Sequence, residues 1–313
     1  MTLQIVFALY PVCLAGVALY WALTAQPRSR FRWAVEIAVS GSIVAFAFLA
    51  GPWAFTSYYL RYAVLGVFAL VVLYTYRRAK LASAMQQDQT PRRLVFSATI
   101  LGLFMVLNAL AVASHVRPRE SLNLSFPLAS GTYYVLQGGN SVVTNPFHSL
   151  SGTKLALDIV GLNAFGNRAN GMAPRTLADY EIFGDIVYSP CEGIVLAVQD
   201  TLADNPPGAP DTGHPANHVT VKCGEVEIFM AHLMQGSATV ATGKTVTLRQ
   251  PVGRVGNSGN TLEPHLHIGA KKNGAEMGLV FDGRWLSMNS VVIGTQRDAQ
   301  PVTAVDRPQA GRR

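Results

Sequence analysis

The chain has 313 residues, 50% of them hydrophobic and only 14% charged, against about 25% charged for a typical soluble domain. That composition excludes an intrinsically disordered chain, which needs low hydrophobicity and high charge. The net charge of +7 lies entirely in residues 1–116, which hold 9 Lys/Arg and 2 Asp/Glu, whereas residues 117–313 hold 16 of each.

Residues 1–116 read as a transmembrane region with four spans, at about 3–25, 37–55, 57–76 and 94–116. Each is long enough for a bilayer core, which takes about 20 apolar residues. The first lacks the positive leader and short apolar core of a cleaved signal peptide. Gly51-Pro52 ends the second, and Arg61 stands near one end of the third, where it can snorkel. Arg28, Arg30 and Arg32 occupy the first loop, and Arg77, Arg78, Lys80, Arg92 and Arg93 the third. Basic loops face the cytoplasm, so both termini and the C-terminal portion are expected outside, in a multi-pass protein of the cytoplasmic (inner) membrane. A nucleic-acid-binding domain would instead gather its cations on one soluble face, so no nucleic-acid partner is expected. Glu36 beside Arg32 reads as a solvated ion pair, and the bundle as an anchor in the lipid bilayer.

From 121 to 293 the texture changes to short β-rich runs between turns, which predicts a mainly antiparallel β domain outside the membrane. Leu155–Val160, Gly193–Val198, His218–Lys222, Val226–Met230, Pro251–Val255 and His265–Ala270 read as strands. Two long loops, Gly161–Tyr180 and Asp200–Ala216, are candidates for functional segments. Residues 295–313 are polar and aperiodic and read as a disordered tail. Cys13 falls in the first apolar run. Cys191 and Cys223 make an even pair in an oxidising compartment, which points to a disulfide.

The sharpest local feature is Pro264-His265-Leu266-His267-Ile268. On a strand the two imidazoles share a face while Leu266 and Ile268 point to the core. The two can share a metal, or one can bind it while the other reaches its bound water. Asp158 stands inside the apolar run Leu155-Ala156-Leu157-Asp158-Ile159-Val160, where a carboxylate is costly to bury unless paired or metal-bound. His232 ends the run Ile228–Ala231, and His148 follows Asn145-Pro146-Phe147.

These residues resemble the LytM/lysostaphin-type zinc endopeptidases of bacterial peptidoglycan over about residues 135–290. The resemblance rests on His148 and Asp158, on Met230-Ala231-His232-Leu233, and on the GNSGN…PHLHI segment ending at His267. The ANHV segment at Ala216–Val219 and the Pro190-Cys191-Glu192-Gly193 turn are also similar. It implies a LytM-like β-sheet fold, with His148, Asp158 and His267 as ligands of a Zn2+ ion. His232 and His265 would be the catalytic histidines, and a peptidoglycan peptide the substrate. One departure is plain: nine residues separate His148 from Asp158, where the commonest family pattern has three, so His214 and His218 stand as alternative ligands. A non-catalytic wall-binding or hydrolase-regulating module of the same fold is the second reading. It would be expected to have lost some of the five polar positions. A transport or signalling protein is the third, and would need more polar residues in the helices.

Overall fold

A computed structural model describes residues 2–25, 29–82, 91–209, 213 and 215–294. The segment 295–313 expected as a tail lies outside the described residues, as do Arg28 and His214. Four helices, α1 (Thr2–Thr24), α2 (Arg30–Ala50), α3 (Leu60–Ala82) and α4 (Pro91–Ala113), are each long and apolar enough to cross a membrane. Helix α2 starts at Arg30 rather than Ile37 because the Ser29 side chain caps it, accepting from the Arg32 amide. It stops at Ala50, and Trp53–Phe55 form a separate 3-10 turn after Gly51-Pro52. Ala18, Val39, Ile43 and Val44 form the buried seam of the bundle.

Glu36 departs from the expected solvated pair. It is buried, accepts from Trp21 Nε1 at 2.5 Å, and lies 3.2 Å from Arg93 Nε. Short-range sequence could not show this, because Arg93 comes from α4. The pair ties α2 to α4 at the end of the bundle that carries the basic loops.

The rest is mainly antiparallel β structure. In chain order the strands are β1 (Ser121–Leu124), β2 (Gly131–Gln137), β3 (Leu157–Leu162), β4 (Ile186–Tyr188), β5 (Gly193–Gln199), β6 (His218–Cys223) and β7 (Val226–Ala231). They continue with β8 (Thr245–Val246), β9 (Pro251–Arg254), β10 (Leu266–Lys272), β11 (Ala275–Phe281), β12 (Arg284–Trp285) and β13 (Val291–Gly294). A short helix, α5 (Pro146–Ser151), lies between β2 and β3. Among the described residues the main sheet runs β13-β2-β3-β10-β7-β6-β5-β8, with β11 pairing β10 and also β1 and β12, and β4 pairing β9 apart from it. Only β1–β11 is parallel among these pairs. Alternation selects the core: Leu266, Ile268 and Ala270 of β10 turn inward with Val219 and Val221 of β6 and Ile228 and Met230 of β7. Each large aliphatic side chain so buried contributes roughly 1.5–3 kcal/mol.

The bundle and the β domain are bolted together. Trp285 Nε1 donates to Ser114 O (3.0 Å), Asn289 Nδ2 to Leu49 O (2.9 Å), and the Arg168 amide to Ala54 O (3.0 Å). Ala54, Tyr134, Val160 and Leu162 share one buried cluster with Tyr58 packed on it. Gly166 accepts the Tyr58 amide at 2.8 Å with φ +76°, where a side chain would be strained and would press on the Tyr58 backbone.

Cys191 and Cys223 are joined by a disulfide across a sequence separation of 32, fixing the turn before β5 to the end of β6. Without reductant, alkylation followed by mass spectrometry is expected to label Cys13 alone, with Cys191 and Cys223 labelled only after reduction. Cys191→Ser should cost about 4 kcal/mol from the loop the bridge closes; full labelling before reduction would show free thiols.

Candidate functional site

Strand β3 is buried along its whole length, so Asp158 is largely withdrawn from bulk water. Antiparallel pairing sets His267 directly opposite Asp158, and His267 of β10 opposite Ala231 of β7. That register brings His232, the residue after Ala231, to the same spot. His232 leaves the strand at φ +61°, a left-handed conformation that is uncommon outside glycine although histidine enters it more readily than most residues. Its Nδ1–H donates to Ser258 O at 2.8 Å. Ser258 is held in turn: its hydroxyl donates to Leu233 O (2.7 Å) and accepts from the Asn217 amide (3.0 Å). The GNSGN turn and the Asn of ANHV therefore serve to aim His232.

His148 reaches the site from α5. Asn145 precedes Pro146, which sits in the first turn as a helix start favours. Gly152, at φ +82°, ends the helix. Ser149 to Gly152 is thus the second half of a helix and its cap rather than a loose turn, and this is how the nine-residue gap to Asp158 is taken up. The Nδ1–H of His148 donates to Asn145 Oδ1 at 2.7 Å. Asn145 is itself locked by donation to Gly139 O, Lys154 O and Ala156 O.

Three imidazoles converge on one carboxylate oxygen. Asp158 Oδ1 lies 3.2 Å from His148 Nε2, 3.3 Å from His265 Nε2 and 3.0 Å from His267 Nδ1. The His265 Nδ1–H donates to Glu263 O at 2.8 Å, and the His232 and His265 rings stand 4.6 Å apart. Burial pushes the Asp158 carboxyl up, but His148 and His265 outweigh it and hold the group well below the usual carboxylate range. Burial, with His265 and His267 nearby, pushes His232 down to about 3. Burial also lowers His265, but the Asp158 charge prevails and raises it.

Two triads have spacing suited to a metal ion: His148, Asp158 and His267, and His232, His265 and His267. The first contains a carboxylate and is mostly buried, a donor set that fits a catalytic zinc with an open position. His218 is in neither; it bonds Ala216 O and packs on Phe229. Sequence reasoning missed the supports. Asn145 was visible as the residue before Pro146. Gln137, 3.5 Å from Asp158 Oδ2, and the buried Arg168–Glu263 ion pair at 2.6 Å come from distant chain and left no local signal.

Residues 178–278 match the model of peptidase family M23, so the chain carries a peptidase M23 (LytM-type) domain there. The matched stretch contains His232, His265 and His267 and begins after Asp158. A Pseudomonas aeruginosa protein described as a peptidase M23 is similar in structure, at 19% identity over 61% of this chain and 61% of its own, with a TM-score of 0.30. A zinc-containing peptidase from Vibrio cholerae gives 17% identity over 39% and 48% of the two chains (TM-score 0.25). The catalytic domain of lysostaphin from Staphylococcus simulans gives 18% over 32% and 76% (TM-score 0.23). The chain thus spans about three fifths of the first of these structures and about half of the second. No curated protein sequence matches it.

With His148 as a ligand, His148→Ala is expected to lose most of its zinc, read by mass spectrometry of the purified protein, since even an outer partner of a metal site changes affinity by about tenfold or more. His218→Ala and His214→Ala should keep their zinc. The reverse pattern would move the ligand to one of those two positions.

Proposed function

We propose that this chain, with its peptidase M23 domain at residues 178–278, is a membrane-anchored zinc endopeptidase that hydrolyses peptide crosslinks of bacterial peptidoglycan. The observation that carries the reading is the convergence of His148, His265 and His267 on one buried carboxylate oxygen of Asp158, with His232 beside them. A structural role would leave this concentration of desolvated polar groups without a purpose, because each is costly to bury.

His148 Nε2, Asp158 Oδ1 and His267 Nδ1 would hold the ion. Zinc, when bound, supplies a water of lowered pKa and polarises the scissile carbonyl. The protein's own part is orientation and proton transfer. Asn145 fixes the His148 ring by taking its Nδ1–H, as partners of metal-bound histidines do. Ser258 O and Glu263 O take the Nδ1–H of His232 and His265, which fixes both rings and turns the His265 Nε2 toward Asp158. Between them these two histidines accept the proton of the attacking water, steady the developing oxyanion and return a proton to the leaving amine.

The contacts of the bundle support a location. Gln4 near the start of α1, the Ala54–Tyr58 segment before α3, and Ser114 after α4 all touch the β domain. Arg30, Arg32, Arg77, Arg78, Arg92 and Arg93 lie at the opposite end of the bundle, in the end turns of α2, α3 and α4. With this basic end on the cytoplasmic side, the β domain would stand outside the cytoplasmic membrane, facing the wall.

His232→Ala and His265→Ala should each reduce release of muropeptides from isolated peptidoglycan by about 10² or more, while zinc content stays near that of the parent. Loss of zinc in either would make that residue a ligand. Undiminished release in both would remove them from catalysis, and no release by the parent protein would favour a wall-binding module.

A further inference from the structure

The segment that delivers His148 also faces the helix bundle. From Gly138 to Thr153 it carries no Asp, Glu, Lys or Arg. Its first part enters the end of the bundle: Val143 packs against the cluster of Phe46, Ala50 and Ala111 that also receives Tyr10 and Leu14. Thr144 Oγ1 and Ser114 Oγ are 2.5 Å apart, and Asn140 Nδ2 donates to Val116 O at 3.1 Å. The Phe147 ring meets Phe7 of α1 edge-on, with centroids 5.9 Å apart. Phe7 is more than one turn inside α1, about 8 Å from its start at 1.5 Å per residue. Helix α1 itself is about 35 Å long on that rise, little more than a hydrocarbon core of about 30 Å. Phe147 therefore stands at the depth where that core begins.

Between residues 141 and 150 the exposed side chains are all apolar. Val142 is 50%, Phe147 45% and Leu150 82% exposed. Phe147 and Leu150 are three apart on α5 and so share a face, while His148 turns the other way, to Asn145 and Asp158. Phe165 repeats the arrangement on the next loop: it is 77% exposed, and its carbonyl accepts from Ser57 Oγ at 2.7 Å beside the start of α3. A soluble surface would keep water against these side chains, which is unfavourable for apolar groups.

We propose that residues 142–150 and Phe165 form a lipid-contacting surface of the β domain, seated in the outer leaflet and continuous with the lipid-facing side of the bundle. The occupant is the bilayer interface. The inference rests on the membrane reading above. Its consequence for the site is direct, because α5 presents Phe147 and Leu150 to lipid and His148 to Asp158 from the same two turns. The hydrolytic site then stands at the membrane boundary rather than on a domain held out in solution.

The test is depth by spin labelling of the full-length protein in vesicles of phosphatidylethanolamine and phosphatidylglycerol. Cys13, which is exposed, is first replaced by Ser. Single cysteines are then placed by Leu150→Cys and Phe147→Cys, and by Thr242→Cys in the exposed turn before β8, at the far edge of the sheet. All three replace exposed side chains, so the fold should persist. The expected result is a loss of collisions with water-soluble chromium oxalate and a gain with oxygen at 147 and 150, relative to 242. Equal chromium collisions at all three positions would overturn the proposal. The readout needs no hydrolysis, so it can fail while the peptidase reading stands, and the converse.

Discussion

Everything at the site depends on one unfavourable burial made tolerable. Asp158 is placed in the middle of a wholly buried strand, where an isolated carboxylate would sooner lose its charge than stay ionised. Histidines surround it instead, and their attraction holds it ionised against the burial that opposes it. A buried anion encircled by neutral-capable nitrogen donors is a site built for a cation. The sheet supplies the circle: β3, β10 and β7 are adjacent, and the register that faces His267 with Asp158 also brings His232 alongside. A slip of one residue would turn every side chain of β10 to the other face, burying the histidines and exposing Leu266 and Ile268.

The second constraint is the union of bundle and β domain. Gln4 of α1 donates to the Tyr180 hydroxyl (2.7 Å) and to Glu263 Oε2 (3.1 Å). Glu263 also pairs with Arg168, whose guanidinium lies over Phe55 at 3.6 Å. The carbonyl of that same Glu263 orients His265. The helices therefore reach the surroundings of His265 through two buried hydrogen bonds, and those of His148 through Thr144 and Phe147. A bundle that only anchored would need none of these contacts. They make the helices part of the scaffold that holds the site.

How much of this was legible in the sequence follows from the range of the interactions. Apolar runs and strict alternation are local, so the four helices and strands such as β6, β7 and β10 could be read directly. His265 and His267 could be placed on one face from spacing alone. The short strands β1, β12 and β13 could not, because two to four residues carry no periodicity and their pairing is supplied by distant partners. Glu36 was read as solvated because Arg32 is near in sequence, whereas Trp21 and Arg93 reach it from α1 and α4. The supports of the site, Asn217, Gln137 and Glu263, are ordinary polar residues whose role appears only once the chain is folded.

The central claim is that Asp158 with His148 and His267 holds a zinc ion. The most direct measurement is zinc content and zinc K-edge absorption of the full-length protein and of Asp158→Ala. The account predicts a shell of nitrogen and oxygen without sulfur in the parent, with imidazole scattering, and loss of zinc in the variant. Zinc retained by Asp158→Ala in an all-imidazole shell would contradict it, and would place the metal among His232, His265 and His267 instead.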